Sequence, residues 1–389
     1  MLQPELKQRR DNIRSLMAKQ GIDAAIITCN VNLIYTFGQV VSGYLYLPLN
    51  APAHLFIKRP NTLKGVYIHD IRKPEQLPEL IQSYGLPLPN TLMLEGDELS
   101  FVEYQRLASC FPESKVLPCG TSIIRQARSI KTALEIELFH RSGIAHDKAY
   151  SHIPEVYRSG MTDRELSIEI EKLMRQEGGL GIFRVFGRSM EIFMGSLLAG
   201  SNAATPSPYD FALGGKGIDP SLPGGLNGTL LKEGECFMVD MGGNFFGYMS
   251  DMSRVYAVGK LPQAAYDAHQ VCLDIQNAIA KKAKPGVTCE ELYNLAIEKV
   301  TNAGFADYFM GIGQKAKFIG HGVGLEINEA PVLAPRMKQP LEKGMVFALE
   351  PKIVLPNIGP VGIENTWVVT ANGLEKLTNA PESIYELQP

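Results

Sequence analysis

Apolar and polar positions change period several times along the first 125 residues. NIRSLMAKQG carries its apolar residues at helical spacing and stops at Gly21. DAAIIT, directly after it, is a continuous apolar run of strand type. AHLFIK and KGVYIHD read as strands, PEQLPELIQSYG as a helix, NTLMLEG as a strand and SFVEYQRLASC as a helix. Such alternation predicts an α/β domain of its own.

The pattern then coarsens. SIIRQARSIKTALEIELFHRSGIAHDKAYSHI opens with a short basic stretch and becomes a long helical pattern, which places a domain boundary near Arg125 to Ser129 and divides the chain into 1–126 and 127–389. Two helices are expected near 133–157 and 162–176. The second starts at Thr162 with Glu165 three residues on, the capping-box pattern. A Gly/Pro-rich stretch between 199 and 228 holds Tyr209, Asp210 and Phe211 and lies between strand-like segments, as an ordered loop beside a site would. A second helix pair, 262–283 and 288–303, precedes further β-type runs. Helix pair followed by strands thus occurs twice, which hints at an internal duplication without sequence repeat.

Composition adds mainly exclusions. The chain has 389 residues, 45% apolar and 20% charged, with a net charge of −3. No general attraction to nucleic acid or to an anionic membrane follows from that balance. The N-terminus is a charged amphipathic helix pattern and not a secretion signal. No stretch reaches the roughly 18 apolar residues of a membrane-spanning helix. Six cysteines are scattered without paired spacing, as expected of reduced thiols in a cytoplasmic protein.

Candidate chemistry lies in five residues, each inside an apolar run: Asp240 in ECFMVDMGG, Asp251 in YMSDMSRVYAV, His321 in KFIGHGVGLEI, Glu350 in GMVFALEPKIV and Glu364 in PVGIENTWVV. Four carboxylates buried together would repel one another, and two divalent cations would cancel that charge. GGNFFG supplies turn residues between the aspartates. A hairpin centred between Phe245 and Phe246 puts Asp240 and Asp251 on one rung, with Cβ atoms about 5 Å apart. A second hairpin centred on Asn357 pairs Glu350 with Glu364 in the same way. His321, the only histidine after His269, stands between Gly320 and Gly322, which clear space around it. A carboxylate-rich set with one imidazole suits Mn²⁺, Co²⁺, Fe²⁺ or Zn²⁺, and residue type alone does not choose among them.

These motifs resemble the creatinase, prolidase and methionine aminopeptidase family. RRDNIRSLMAKQGIDAAIITCNVNLIYTFG is similar to the creatinase-type N-terminal domain. IRQARSIKTALEIELFHRSGIAHDKA is similar to the start of the catalytic domain. VDMGGNFFGYMSDMSRVYAVG, GHGVGLEINEAP, GMVFALEP and GIENTWVVT follow the family's metal motifs in order and spacing. The resemblance implies a creatinase-type α/β domain over 1–126 and an α+β pita-bread catalytic domain over 127–389. It implies that Asp240 chelates one metal and Asp251 bridges both. His321 and Glu350 complete the other ion's shell, and Glu364 bridges on the other side. A water shared by the metals would attack the scissile carbonyl, with Glu350 as proton shuttle. Layout is nearest to aminopeptidase P and Xaa-Pro dipeptidase, so the implied activity is removal of a residue ahead of proline from short peptides. A homodimer is implied as well.

The chain departs from that pattern at four places. Asn328 stands where a histidine usually precedes Glu329. Lys317, four residues before His321, and Ser207, in GSNAATPS, also replace common histidines. Gly362 occupies a position where many proline-specific members carry arginine. Asn328 can donate a hydrogen bond but not titrate, Lys317 can supply charge, and Ser207 a neutral hydroxyl. These three join Glu350 as candidate catalytic residues. The swaps keep open a metal-dependent hydrolase or lyase acting on a small non-peptide metabolite, and a non-catalytic metal-binding scaffold. Arg184, Arg188 and Glu191 are weaker pocket candidates, and Trp367 reads as core.

Overall fold

A computed structural model describes residues 2–60, 62–187 and 193–389. The chain divides into two compact units, Met1–Arg128 and Ser129–Pro389.

In the first unit a six-stranded sheet runs in the order Ile68–Asp70, His54–Arg59, Ser42–Pro48, Ala24–Ile27, Thr91–Met93, Lys115–Leu117. Ala24–Ile27 is buried throughout, as its unbroken apolar run requires. Helices cover Leu2–Lys19, Leu77–Ser83 and Phe101–Ser109, where helical spacing places them. The segment KGVYIHD contributes only Ile68–Asp70 as strand. Helix Asn30–Phe37 and strand Ser42–Pro48 are additional. That helix has no local side-chain cap; buried Glu95 accepts from the backbone N–H of Thr28 at 2.6 Å and of Cys29 at 2.8 Å. A carboxylate there satisfies helix-terminal donors that the local sequence leaves open.

The second unit repeats one layout. Helices Ala133–Ser151 and Asp163–Gln176 precede strands Gly195–Ala199, Cys236–Met241 and Ser253–Val258, which form one sheet with Tyr385–Leu387. Helices Gln263–Lys282 and Cys289–Asn302 precede strands Gly320–Gly322, Val346–Leu349 and Asn365–Val369. These form a second sheet with Glu329–Val332 and Leu374–Lys376. The Thr162 and Glu165 box forms as expected, Glu165 N–H donating to Thr162 Oγ1 at 3.2 Å and Thr162 N–H to Glu165 Oε2 at 2.9 Å. Thr132 with Glu135 and Thr288 with Glu291 start two further helices in the same way.

Ala268, Cys272, Ile275 and Ile279 of the third helix share an apolar cluster with Phe347, Leu349, Val361 and Trp367. Fully burying side chains of the larger kinds contributes about 1.5–3 kcal/mol each. The sheet carrying His321 therefore stands on a stiff core, and Trp367 belongs to that core as its sequence context predicts.

Candidate metal centre

Two hairpins carry the acids. The first joins strands Cys236–Met241 and Ser253–Val258, and its tip joins Gly243–Phe245 to Tyr248–Ser250. Its turn is Phe246-Gly247, with φ of 53° and 85°. Two central residues with positive φ match the twist of the flanking strands. The ladder is therefore centred one position later than the spacing argument placed it, which moves every cross-strand partner by two. Asp240 faces Ser253, not Asp251. A shift of two keeps side-chain parity, so the aspartates stay on one face as diagonal neighbours.

The second hairpin follows the expected register: Lys352 pairs with Gly362 and Leu355 with Gly359, about a centre at Asn357. Glu350 and Glu364 lie just beyond its paired ends. His321 sits in a short strand between Glu329–Val332 and Val346–Leu349. A Cβ at Gly320 would strike the Ala348 carbonyl, and one at Gly322 the Ala330 carbonyl, so the glycines let both neighbouring strands close on the histidine.

All five residues converge. The ligand atoms of Asp251, His321 and Glu364 lie within 4.8 Å of one another, as do those of Asp240, Glu350 and Glu364. His321 Nδ1 lies 3.2 Å from the Gly322 carbonyl, which assigns the proton there and leaves Nε2 for a ligand. Nε2 stands 3.3 Å from Glu350 Oε1 and 3.5 Å from Asp251 Oδ2. Glu350 Oε1 is buried and makes no hydrogen bond. An orphaned carboxylate oxygen beside a free imidazole nitrogen fits a divalent ion held by Asp251, His321, Glu364 and Glu350.

The other set differs. Lys352, fully buried, donates to Asp240 Oδ2 at 2.7 Å, Glu350 Oε2 at 2.7 Å and Glu364 Oε2 at 3.0 Å. An ion bonded to the same oxygens at about 2.0–2.2 Å would need the space the ammonium fills. This half of the centre does not fit a second ion alongside Lys352.

The charges respond to this packing. Burial works against the charge on Lys352, but Asp240, Glu350 and Glu364 outweigh it and push its pKa well above the usual lysine range. Burial alone would raise Glu350; Lys352 and His321 instead hold it at about 2. Burial would lower His321, but Glu350 and Asp251 lift it to about 9. Asp251 is pushed up to about 7 by burial, with His321 opposing and Asp240 and Glu350 adding to the rise. Burial, Asp251 and Glu350 hold Glu364 well above the usual carboxylate range.

Supporting residues went unnoticed in the sequence. Ser253 Oγ donates to Glu364 Oε2 at 2.6 Å. Thr366 Oγ1 donates to the Asp251 carbonyl at 2.9 Å and accepts from the Asp251 N–H at 2.8 Å. Tyr150 OH donates to the Met252 carbonyl at 2.9 Å and accepts from Met241 N–H at 3.1 Å, tying together the chain ends beside both aspartates. Buried Arg254 donates to the Glu364 carbonyl at 2.8 Å and the Ala380 carbonyl. For Lys352 a signal did exist. Residues two apart on a strand share a face, so Glu350 and Lys352 point the same way, and a lysine opening a wholly buried strand needs a partner.

The replaced histidines separate in role. Asn328 holds one residue by both of its backbone groups: Oδ1 accepts from Phe186 N–H at 2.7 Å and Nδ2 donates to the Phe186 carbonyl at 2.8 Å. The pairing holds the segment at Phe186 in place. Ser207 holds its own loop: its hydroxyl donates to the Pro223 carbonyl at 2.9 Å and accepts from Tyr209 N–H at 3.2 Å. Lys317 is exposed and lines a cavity of about 390 Å³ together with Tyr209, Asp210 and Phe318. The Phe318 ring stands edge-on to His321 at 6.1 Å, so this cavity adjoins the candidate centre. Arg184 is only half-buried, and its carbonyl accepts from Ile327 N–H. Arg188 and Glu191 lie outside the described residues.

Known proteins extend the picture. A family model described as Metallopeptidase family M24 matches residues 137–371, and one described as Creatinase/Prolidase N-terminal domain matches residues 9–130. The chain is 27% identical to a Pyrococcus furiosus Xaa-Pro dipeptidase, over 97% of its own length and 100% of that protein's. It is also 27% identical to an uncharacterized peptidase of Bacillus subtilis, over 96% of the chain and 98% of that protein. Among solved structures, an Xaa-Pro dipeptidase from Bacillus anthracis superposes with a TM-score of 0.81 at 25% identity, covering 98% of this chain and 100% of that one.

Proposed function

Because the chain belongs to metallopeptidase family M24, we propose that it is a metal-dependent hydrolase that cleaves the amide bond ahead of proline in short peptides. The observation that carries this reading is the convergence of Asp240, Asp251, His321, Glu350 and Glu364 in two ligand groups that share Glu364. Relatives aligned with it end to end support the choice of bond.

A divalent ion, when bound, supplies Lewis acidity for the scissile carbonyl and lowers the pKa of water. The chain's own residues do the rest. Asp251, His321 and Glu364 would hold the ion with Glu350 beside them, and Glu350 Oε1, 3.3 Å from His321 Nε2, is placed to pass a proton. Ser253 holds the Glu364 carboxylate, and Thr366 fixes the backbone that carries Asp251. The cavity beside Phe318 is of a size for a small peptide, and Lys317 on its wall would meet a free C-terminal carboxylate. That favours dipeptides over longer chains. Mn²⁺ is the first ion to test, and a homodimer the first assembly.

The chain, stripped by chelator and reloaded with Mn²⁺ or Co²⁺, should hydrolyse Xaa-Pro dipeptides. Asp251→Asn and His321→Ala should each lose at least about a thousandfold in kcat/KM, on the scale of a removed catalytic group. Lys317→Ala should raise KM with little change in kcat. No turnover across dipeptides and longer Xaa-Pro peptides would overturn the proposal. Gly362 favours a second reading, since it offers no side chain at a position where proline-specific relatives often carry arginine. On that reading the substrate is a small non-peptide amide, and turnover of such compounds with none of the peptides would select it.

A further inference from the structure

We propose that Lys352 is a resident cation, its ammonium taking the place of one of the two divalent ions that the carboxylate cluster would otherwise hold, so that the centre takes no more than one ion.

Three observations carry the inference. The first is position. The acids contacted by Lys352 Nζ, Asp240, Glu350 and Glu364, form one of the two groups whose oxygens lie close enough to share a metal. An ammonium has three N–H donors, and each has its own carboxylate. None is left for a substrate, so Lys352 is neither a nucleophile nor a substrate anchor.

The second is charge. Four buried carboxylates and two divalent ions balance. With the ammonium added, the same pair of ions would leave one excess positive charge among largely buried groups, which is costly. One divalent ion together with Lys352 leaves a remainder of a single negative charge.

The third is the opposite strand. Gly362 is the cross-strand partner of Lys352, with a φ of 144°. A Cβ there would lie 2.5 Å from the Pro351 carbonyl oxygen, 2.8 Å from Lys352 Cα and 3.3 Å from Lys352 Cγ. The lysine stem passes through space that any side chain at 362 would take. The missing arginine and the inward lysine are thus one feature: the cation has moved to the neighbouring strand and points at the acids.

This inference deepens the reading of the same site and rests on its ligand set, but its test needs no substrate. Full-length protein is stripped with chelator, reloaded with Mn²⁺ or Co²⁺, freed of unbound ion and counted by elemental mass spectrometry. Mn²⁺ samples are also examined for spin coupling between paired ions. Wild type should hold one ion per chain or none, without coupling. Lys352→Gly, which vacates the space and the charge, should hold one ion more than wild type. Lys352→Met, which keeps most of the volume, should not gain one. Two ions per wild-type chain, or a coupled Mn²⁺ pair, would overturn the inference, as would a folded Lys352→Gly that gains nothing. If Lys352→Gly fails to fold, the wild-type count and coupling decide alone. Failure on Xaa-Pro peptides leaves the count untouched, and a count of two leaves the peptidase reading standing.

Discussion

The two acid-bearing hairpins solve the same problem by different means. The first is held from outside. Ser142, His146 and Tyr150 lie on one face of helix Ala133–Ser151, and reach the Phe245 carbonyl at 2.6 Å, Ser250 Oγ at 3.0 Å and the Met252 carbonyl at 2.9 Å. All three clamps are uncharged. The second hairpin is held from inside, by Lys352 on its own strand bonded to acids at both of its ends. One hairpin spends neutral hydrogen bonds to place its carboxylates; the other spends a charge. Fixing the backbone and neutralising the acids are therefore separable tasks, and this fold assigns them to different residues.

The largest expected effect comes from removing the internal charge. Lys352→Met leaves three buried carboxylates without their cation, and breaking a buried pair in this way costs about 3–5 kcal/mol. Denaturant unfolding at neutral pH should show that loss, and a variant as stable as wild type would end the distinction between the hairpins. Next is Gly362→Ala. Its backbone conformation costs a residue with a Cβ about 1–3 kcal/mol, before the overlap with the Pro351 carbonyl is added. A midpoint unchanged from wild type would show that the second hairpin tolerates a shift the geometry forbids.

The outside clamp has a pH signature. Burial, with the charge of Arg254 adding to it, depresses His146 to about 3 from an ordinary value near 6.5. A depressed folded-state pKa gives stability that is present above the unfolded value and is lost as pH falls toward the folded one. Between pH 6.5 and pH 5 the loss from His146 should be about 2 kcal/mol, at 1.36 kcal/mol per pH unit, against an opposing gain as buried Asp251 takes up its proton. His146→Asn should flatten that slope, and an unchanged slope would remove His146 as its source. The smallest effect belongs to the turn of the first hairpin. Nothing stands within 4 Å of where a Cβ on Gly247 would go, so Gly247→Ala should cost only the conformational penalty, about 1 kcal/mol. A loss as large as that of Gly362→Ala would mean that the two hairpins are equally crowded.

What the sequence discloses follows the range of the interactions. Helix starts such as Thr162 with Glu165 are readable because both partners lie within one turn. The second hairpin is readable because Pro356 to Pro360 mark its centre. The first has its centre one residue away, and its pairing two, because the tip offers two candidate turns, and the positive φ of Phe246 and Gly247 selects between them only in the folded chain. Parity survives the error, which is why Asp240 and Asp251 still share a face. Helix Asn30–Phe37 was missed because its cap, Glu95, lies far along the chain. Lys352 was passed over because the acids around it were read as a demand for metal, whereas a lysine two residues from one of them answers part of that demand.

The amide of Asn328 bears on how this chain could be re-engineered. It straddles the N–H and the carbonyl of a single residue, Phe186, so that a donor and an acceptor on neighbouring atoms meet one peptide face. A histidine's ring nitrogens are separated by a carbon and point apart, and cannot meet both groups at once. Restoring histidine at 328 would release the segment around Phe186 in exchange for a titratable group. A single exchange at this position therefore trades a backbone anchor for titration.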